Sequence, residues 1–211
     1  MAKNPLGVTR NAHFNLRLKK IESADDIPQR WQGTPIASFI AAHNFDMPVE
    51  PSGKPELLIA TCIEFRFTPK IPSMYAYVIR RASGRLIGSE FAMVYTMSQG
   101  VKHVVLIGHD DCGMTKVSQK RAAMIETLKE QGWSEQRAEE YVAAEAGRYA
   151  IEDEVDSLES EFYRLLELFP NIEIAPLFVS LNSHRMYLPS WYLKFLSSAG
   201  VSNQSVSEVS Q

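Results

Sequence analysis

The chain has 211 residues, 45% of them hydrophobic and 22% charged, with a formal net charge of -3. That supports one core, read as a single domain over residues 1–197 with 1–32 as an N-terminal arm and 198–211 as a disordered tail. The charge gives no reason to expect nucleic acid or an anionic membrane as partner. With no apolar signal core after Met1 and no apolar run of about 18 to 20 residues, the expected location is the cytoplasm.

Up to about residue 22, Phe14, Leu16, Leu18 and Ile21 follow neither a strand nor a strong helical period, so this stretch reads as an arm. Thr34-Pro35 reads as an N-cap followed by proline at the first helical position, opening a helix through Ile36, Phe39 and Ile40. Pro48, Pro51, Gly53 and Pro55 then break regular structure ahead of Leu57 to Thr61, an apolar run suited to a strand buried on both faces. Tyr75 to Ile79 is a second strand, and Arg80 to Arg85 a loop at its carboxyl end. Ser89 reads as the cap of a helix carrying Phe91, Val94 and Tyr95 on one face and ending at Gln99-Gly100.

Val104 to Gly108 is the next strand, followed by an Asp110-Asp111-Cys112-Gly113 turn and a polar helix from about Thr115 to Glu130. Strand, helix, strand in this order implies a parallel pair with a right-handed crossover. Ser134 to Leu168 reads as long helices against the sheet, interrupted only at Gly147, with Val155, Leu158, Phe162, Leu165, Leu166 and Phe169 at helical spacing. A strand over Ile172 to Leu181 and a helix from Pro189 through Leu196 complete the expected elements. The class is α/β, a mainly parallel sheet flanked by helices. No Gly-x-Gly-x-x-Gly follows a strand and no Walker-type lysine is present, so nucleotide binding has no support.

The two cysteines of the chain both stand near strand ends, in Cys62-x-Glu64-x-Arg66 and His109-x-x-Cys112. Open parallel sheets gather ligands beyond the carboxyl ends of their strands, so the two motifs can meet. Two thiolates and one imidazole are three ligands for Zn2+, and tetrahedral zinc with three protein ligands keeps a fourth position for water or substrate. The expected chemistry is attack by zinc-bound hydroxide. A Cys62–Cys112 disulfide is the rival reading. Glu64 is placed to accept a hydrogen bond at such a site and Arg66 to keep it ionised. The pair also reads as a structural salt bridge, or Glu64 as a fourth zinc ligand. Asp110 and Asp111 read as caps of the following helix. His13, His43, His103 and His184 read as surface or packing histidines, and Trp133 and Tyr141 as core or interface. Arg80, Arg81 and Arg85 read equally as an anion-attracting cluster, a solvated loop or a subunit contact.

With Val78-Ile79-Arg80-Arg81-Ala82-Ser83-Gly84 and Gly113-Met114 added, these motifs resemble the β-class carbonic anhydrases over about residues 57 to 116. The resemblance implies zinc on Cys62, His109 and Cys112, a dyad of Glu64 and Arg66, and reversible hydration of carbon dioxide to bicarbonate. It also implies a homodimer or higher homo-oligomer whose N-terminal arm wraps a neighbour. Glu64 stands where the family has aspartate, Arg81 and Ser83 alter the usual Arg-Asn-Ala-Gly, and the link from Cys62 to His109 is short. Two other functions therefore stay open: hydrolysis of carbonyl sulfide or carbon disulfide, and non-catalytic binding of zinc or bicarbonate with Glu64 closing the metal.

Overall fold

The structure is a computed structural model that describes residues 14, 16–50 and 53–198. The expected tail from 199 onward and the first part of the expected arm lie outside the described residues. The strands are β1 (Leu18–Lys20), β2 (Leu57–Cys62), β3 (Ala76–Arg81), β4 (His103–His109), β5 (Glu173–Val179) and β6 (Met186–Pro189). The α-helices are α1 (Pro35–Phe45), α2 (Glu90–Ser98), α3 (Val117–Glu130), α4 (Glu135–Tyr149), α5 (Glu154–Leu168) and α6 (Ser190–Ser198).

Strand order is β1-β6-β5-β4-β2-β3. β3, β2, β4 and β5 run parallel, and β6 and then β1 continue the sheet antiparallel. This is the mainly parallel, helix-flanked sheet expected from the order of elements. β2 is buried at every position, as a central strand covered on both faces must be. Ala60 lies opposite both Ile79 and Leu106, so β2 and β4 end at the same level of the sheet. That register brings the chain just after Cys62 beside the chain just after His109.

The helices show why capping outranks glycine as a boundary signal here. Asp153 accepts hydrogen bonds from the amides of Val155 and Asp156, both at 2.9 Å, and starts α5. The break between the two long helices therefore falls at residues 150–153, while Gly147 lies within α4. α5 buries Val155, Leu158, Phe162 and Leu165 against β4 and β5. Against expectation, α4 packs mainly on α3 and reaches the sheet at its end, through Tyr149 on Arg81. Trp133 and Tyr141 are correspondingly not core residues. They meet edge to face at 5.3 Å with Arg137 over the indole, and Tyr141 is exposed.

The outer antiparallel edge was also not foreseen. Leu18–Lys20, read as arm, is a strand; the strand expected over 172–181 ends at Val179; and Pro189 closes β6, so α6 begins at Ser190. Thr34 caps α1 as expected, its hydroxyl accepting from the Ile36 amide at 3.2 Å. From the same helix, buried Asn44 donates to the carbonyls of Ile21 and Met186 and accepts from the Met186 amide at 2.8 Å. One side chain thus ties α1 to both antiparallel strands. No helix among the described residues is long and apolar enough to cross a membrane.

Candidate metal centre

β2 ends in Cys62, β4 ends in His109, and the turn after β4 carries Cys112 back to the same point. One donor atom from each lies within 4.8 Å of the others, all three residues are buried, and the two sulfurs are 3.9 Å apart. Both cysteines are free. A disulfide needs sulfurs about 2.05 Å apart, so that alternative is not the arrangement formed. His109 Nδ1 donates to the Asp110 carbonyl at 2.8 Å, which leaves the lone pair on Nε2. Nε2 is buried and has no hydrogen-bond partner among the described residues.

This donor set fits zinc. Sulfurs about 2.3 Å from a tetrahedral ion stand about 3.8 Å apart, and a buried imidazole nitrogen with no partner is the remaining ligand such an ion needs. The thiols are already unequal. Hydrogen bonding from the Cys112 thiol, helped by His109, brings Cys62 down to about 5 against the effect of burial. Cys112 is pushed up by Cys62 and by burial. Burial works against a charge on His109, but Cys62 and the Asp110 carbonyl outweigh it and raise its pKa.

Arg66 grips Glu64 in a fork. Its Nε and Nη2 donate to the two carboxylate oxygens at 2.7 Å each, and its backbone amide adds a third bond at 2.8 Å. Those bonds hold buried Glu64 at a pKa of about 2, well below the usual carboxylate range. The far side of the guanidinium reaches Asp111 Oδ2 at 3.0 Å, and Lys116 meets the other Asp111 oxygen at 2.7 Å. Glu64 thus stands in the arginine fork and not among the metal-donor atoms. Asp111 belongs to this charge relay, with its pKa held near 2 by Lys116 and Arg66.

No family model and no curated protein sequence matches the chain. Solved structures do. The β-carbonic anhydrase isoform I of Trichomonas vaginalis matches with a TM-score of 0.54 at 16% identity, covering 73% of this chain and 94% of that one. The chain has the β-carbonic anhydrase fold. A carbonic anhydrase from Glaciozyma antarctica is similar at a TM-score of 0.51 and 20% identity over 77% of this chain and 99% of that one. The apo form of a carbon disulfide hydrolase is similar at 0.50 and 15% identity, over 83% and 95%.

Within this β-carbonic anhydrase fold, the residues around the cluster have roles that spacing did not reveal. Arg80 donates Nε to the Cys62 carbonyl at 3.2 Å and Nη2 to the carbonyls of Glu64 and Phe67, the latter at 2.8 Å. It pins both ends and the middle of the loop that carries Glu64 and Arg66. Arg81 instead bonds the Ser89 hydroxyl and the Tyr149 hydroxyl, and Arg85 reaches Glu161 at 3.5 Å. Asp110 caps nothing: its carboxylate accepts from the Leu181 amide at 2.7 Å, joining the ends of β4 and β5.

Two further contacts steady the ligands. Glu154 Oε1 accepts from the Cys112 amide at 3.2 Å. Gly84, at φ +73°, lies so close to β2 that a Cβ there would sit 3.2 Å from the Cys62 nitrogen. Among the other histidines, His43 is buried between Phe39 and Phe67, His184 is exposed and His103 is partly buried; none joins the cluster. His13 lies outside the described residues.

Proposed function

We propose that the chain is a Zn2+ enzyme that reversibly hydrates carbon dioxide to bicarbonate and a proton. Cys62, His109 and Cys112 are its metal ligands, and Glu64 and Arg66 the pair that orients the reacting water. One observation carries the reading: three buried donors converge, one of them an imidazole nitrogen without a partner, beside a carboxylate locked in an arginine fork. When bound, zinc supplies a Lewis acid that makes water nucleophilic near neutral pH.

The protein's own groups do the rest. Arg66 keeps Glu64 ionised, so Glu64 acts as an acceptor and not as an acid. It takes one hydrogen bond from the attacking water and turns a lone pair of that water toward the carbon of the substrate. Asp111 and Lys116 hold the guanidinium from behind, and Arg80 keeps the loop from drifting away from Cys62. A cytoplasmic setting keeps both thiols reduced.

A homo-oligomer completes this reading. β3 is the outer parallel edge of the sheet, and Phe65, Val78, Phe91 and Tyr95 are exposed on the described surface, apolar area that a second copy would cover.

A second substrate reading has support of its own. One similar structure is a carbon disulfide hydrolase, and on either side of Glu64 in the sequence the loop exposes apolar Ile63 and Phe65, side chains of the kind carbon disulfide or carbonyl sulfide would meet. Zinc analysis and stopped-flow turnover with carbon dioxide and both sulfur compounds decide between them. One zinc per chain, lost in Cys112→Ser, and carbon dioxide turnover lost in Glu64→Gln with zinc retained, are expected. Turnover only on the sulfur compounds selects the second reading, and reduced protein that takes up no zinc overturns both.

A further inference from the structure

Of the three zinc ligands proposed above, two are fixed by the sheet. Cys62 ends β2 and His109 ends β4, and strand pairing holds their backbones. Cys112 lacks that support. It lies in the turn that follows β4, next to Asp111, whose backbone stands in the left-handed region at φ +49°. A non-glycine residue stays there only when its surroundings hold it.

Part of that hold comes from the segment between α4 and α5. The Ile151 amide donates to the Met114 carbonyl at 3.2 Å, and Glu154, the first residue of α5, accepts from the Cys112 amide at 3.2 Å. Residues 150–153 belong to no helix or strand, yet an arginine grips each end of the segment. At its start, Arg81 donates to the Tyr149 hydroxyl, with the guanidinium carbon 5.4 Å from the centre of that ring. Arg81 lies opposite Cys62 in the register of β2 and β3, so the segment is set to the level of the first ligand. At its end, Arg17, just ahead of β1, donates to Asp153 at 2.8 Å and reaches Asp156 in the first turn of α5.

We propose that Arg81 and Arg17 are positioning residues of the metal centre: they clamp residues 149–153 at both ends, and the clamped segment sets Cys112 in place for zinc. The proposal rests on the reading of Cys62, His109 and Cys112 as zinc ligands. Each arginine acts through the segment.

Two measurements on the reduced chain test this. The first is transfer of zinc from the loaded chain to a chromophoric chelator. Arg81→Met should release zinc about tenfold faster, the low end for groups that stand behind a ligand. Arg17→Met should release it about threefold faster, because Arg17 and Asp153 are each 25% exposed. Arg17→Lys, which keeps a cation facing Asp153, should restore most of that loss. The second is alkylation of the metal-free chain by iodoacetamide, with the two thiols resolved by peptide mass spectrometry. Both cysteines are buried, so their rates report openings of the structure. Arg81→Met should speed Cys112 about tenfold and leave Cys62 unchanged. Thr34→Ala, which removes the cap of α1, is the control for lost stability alone and should move both thiols together.

Equal acceleration of both thiols in Arg81→Met, or zinc release unchanged in both arginine variants, overturns the proposal. Tyr149→Phe, which keeps the ring and removes only the acceptor, decides at the first joint if Arg81→Met does not fold. A parent chain that takes up no zinc overturns the reading of the ligands and shows before any variant is made, whereas failure of the clamp shows only in the variants.

Discussion

Replacing Gly84 by alanine tests how tightly the metal centre is seated on the sheet. Two costs add. At φ +73° an L side chain pays about 1 to 2 kcal/mol for the left-handed backbone. The new Cβ would also lie 3.2 Å from the Cys62 nitrogen and 3.4 Å from both the Ile107 oxygen and the Thr61 carbonyl carbon. All three are backbone atoms of paired strands, so no side chain can swing aside, and the overpacking costs about 1 to 2 kcal/mol more. Gly132→Ala is the control: φ is +89°, but nothing lies within 4 Å of the added carbon, so only the first cost applies. Urea unfolding of the metal-free chains should show a loss of about 3 kcal/mol at position 84 and about 1 to 2 at position 132. Because the strain falls on the Cys62 amide, Gly84→Ala should also weaken zinc about tenfold in competition with a chelator. Equal stabilities for the two variants, with zinc affinity unchanged, would refute the argument.

Acid should destabilise the fold through His43. Burial, with help from Lys70, lowers its pKa from 6.5 to about 4, so its contribution is complete above 6.5 and is lost as pH falls toward 4. The loss is on the order of 3 kcal/mol, and His43→Leu should flatten the stability slope across that window; an unchanged slope contradicts the assignment. Glu161→Ala should cost about 3 kcal/mol by urea unfolding, since buried Glu161 accepts from the Leu86 amide at 2.8 Å and from Arg164 at 2.7 Å. A loss under about 1 kcal/mol would mean water replaces the carboxylate. Asp111→Ala should alter stability by less than about 1 kcal/mol, because its carboxylate is well exposed, yet lower carbon dioxide turnover about tenfold by freeing the back of Arg66. Unchanged turnover would show that Glu64 alone positions Arg66.

What the sequence revealed follows from where chemistry meets the backbone. Leu57 to Thr61 and Val104 to Gly108 were legible because strands covered on both faces must be apolar throughout, and that same rule put Cys62 and His109 at their ends. β1 and β6 were not. Both are short, β1 at the sheet edge and β6 just inside it, and β6 ends in a proline that equally suits a helix start. Arg80 gave no signal because its three acceptors are carbonyls, which every residue possesses. Glu154 lies 42 residues from the Cys112 amide it accepts from, and only the packing of α5 brings it there. Ser89, Asp110 and Asp111 had the right chemistry for caps, but Arg81, Leu181 and Arg66 claim those oxygens.

The pairing of β1 with β6 also dictates an order of assembly. Leu18 leaves the ribosome well before its partner Pro189, and Asn44 must likewise wait for Met186. Until then β5, with its apolar run from Ile174 to Val179, is an uncovered parallel edge open to strands of other chains. Such late long-range closure slows folding and favours misassociation over this interval. Nascent chains stalled before residue 186 should therefore be the species that chaperones hold, and completion of β6 the event that releases them.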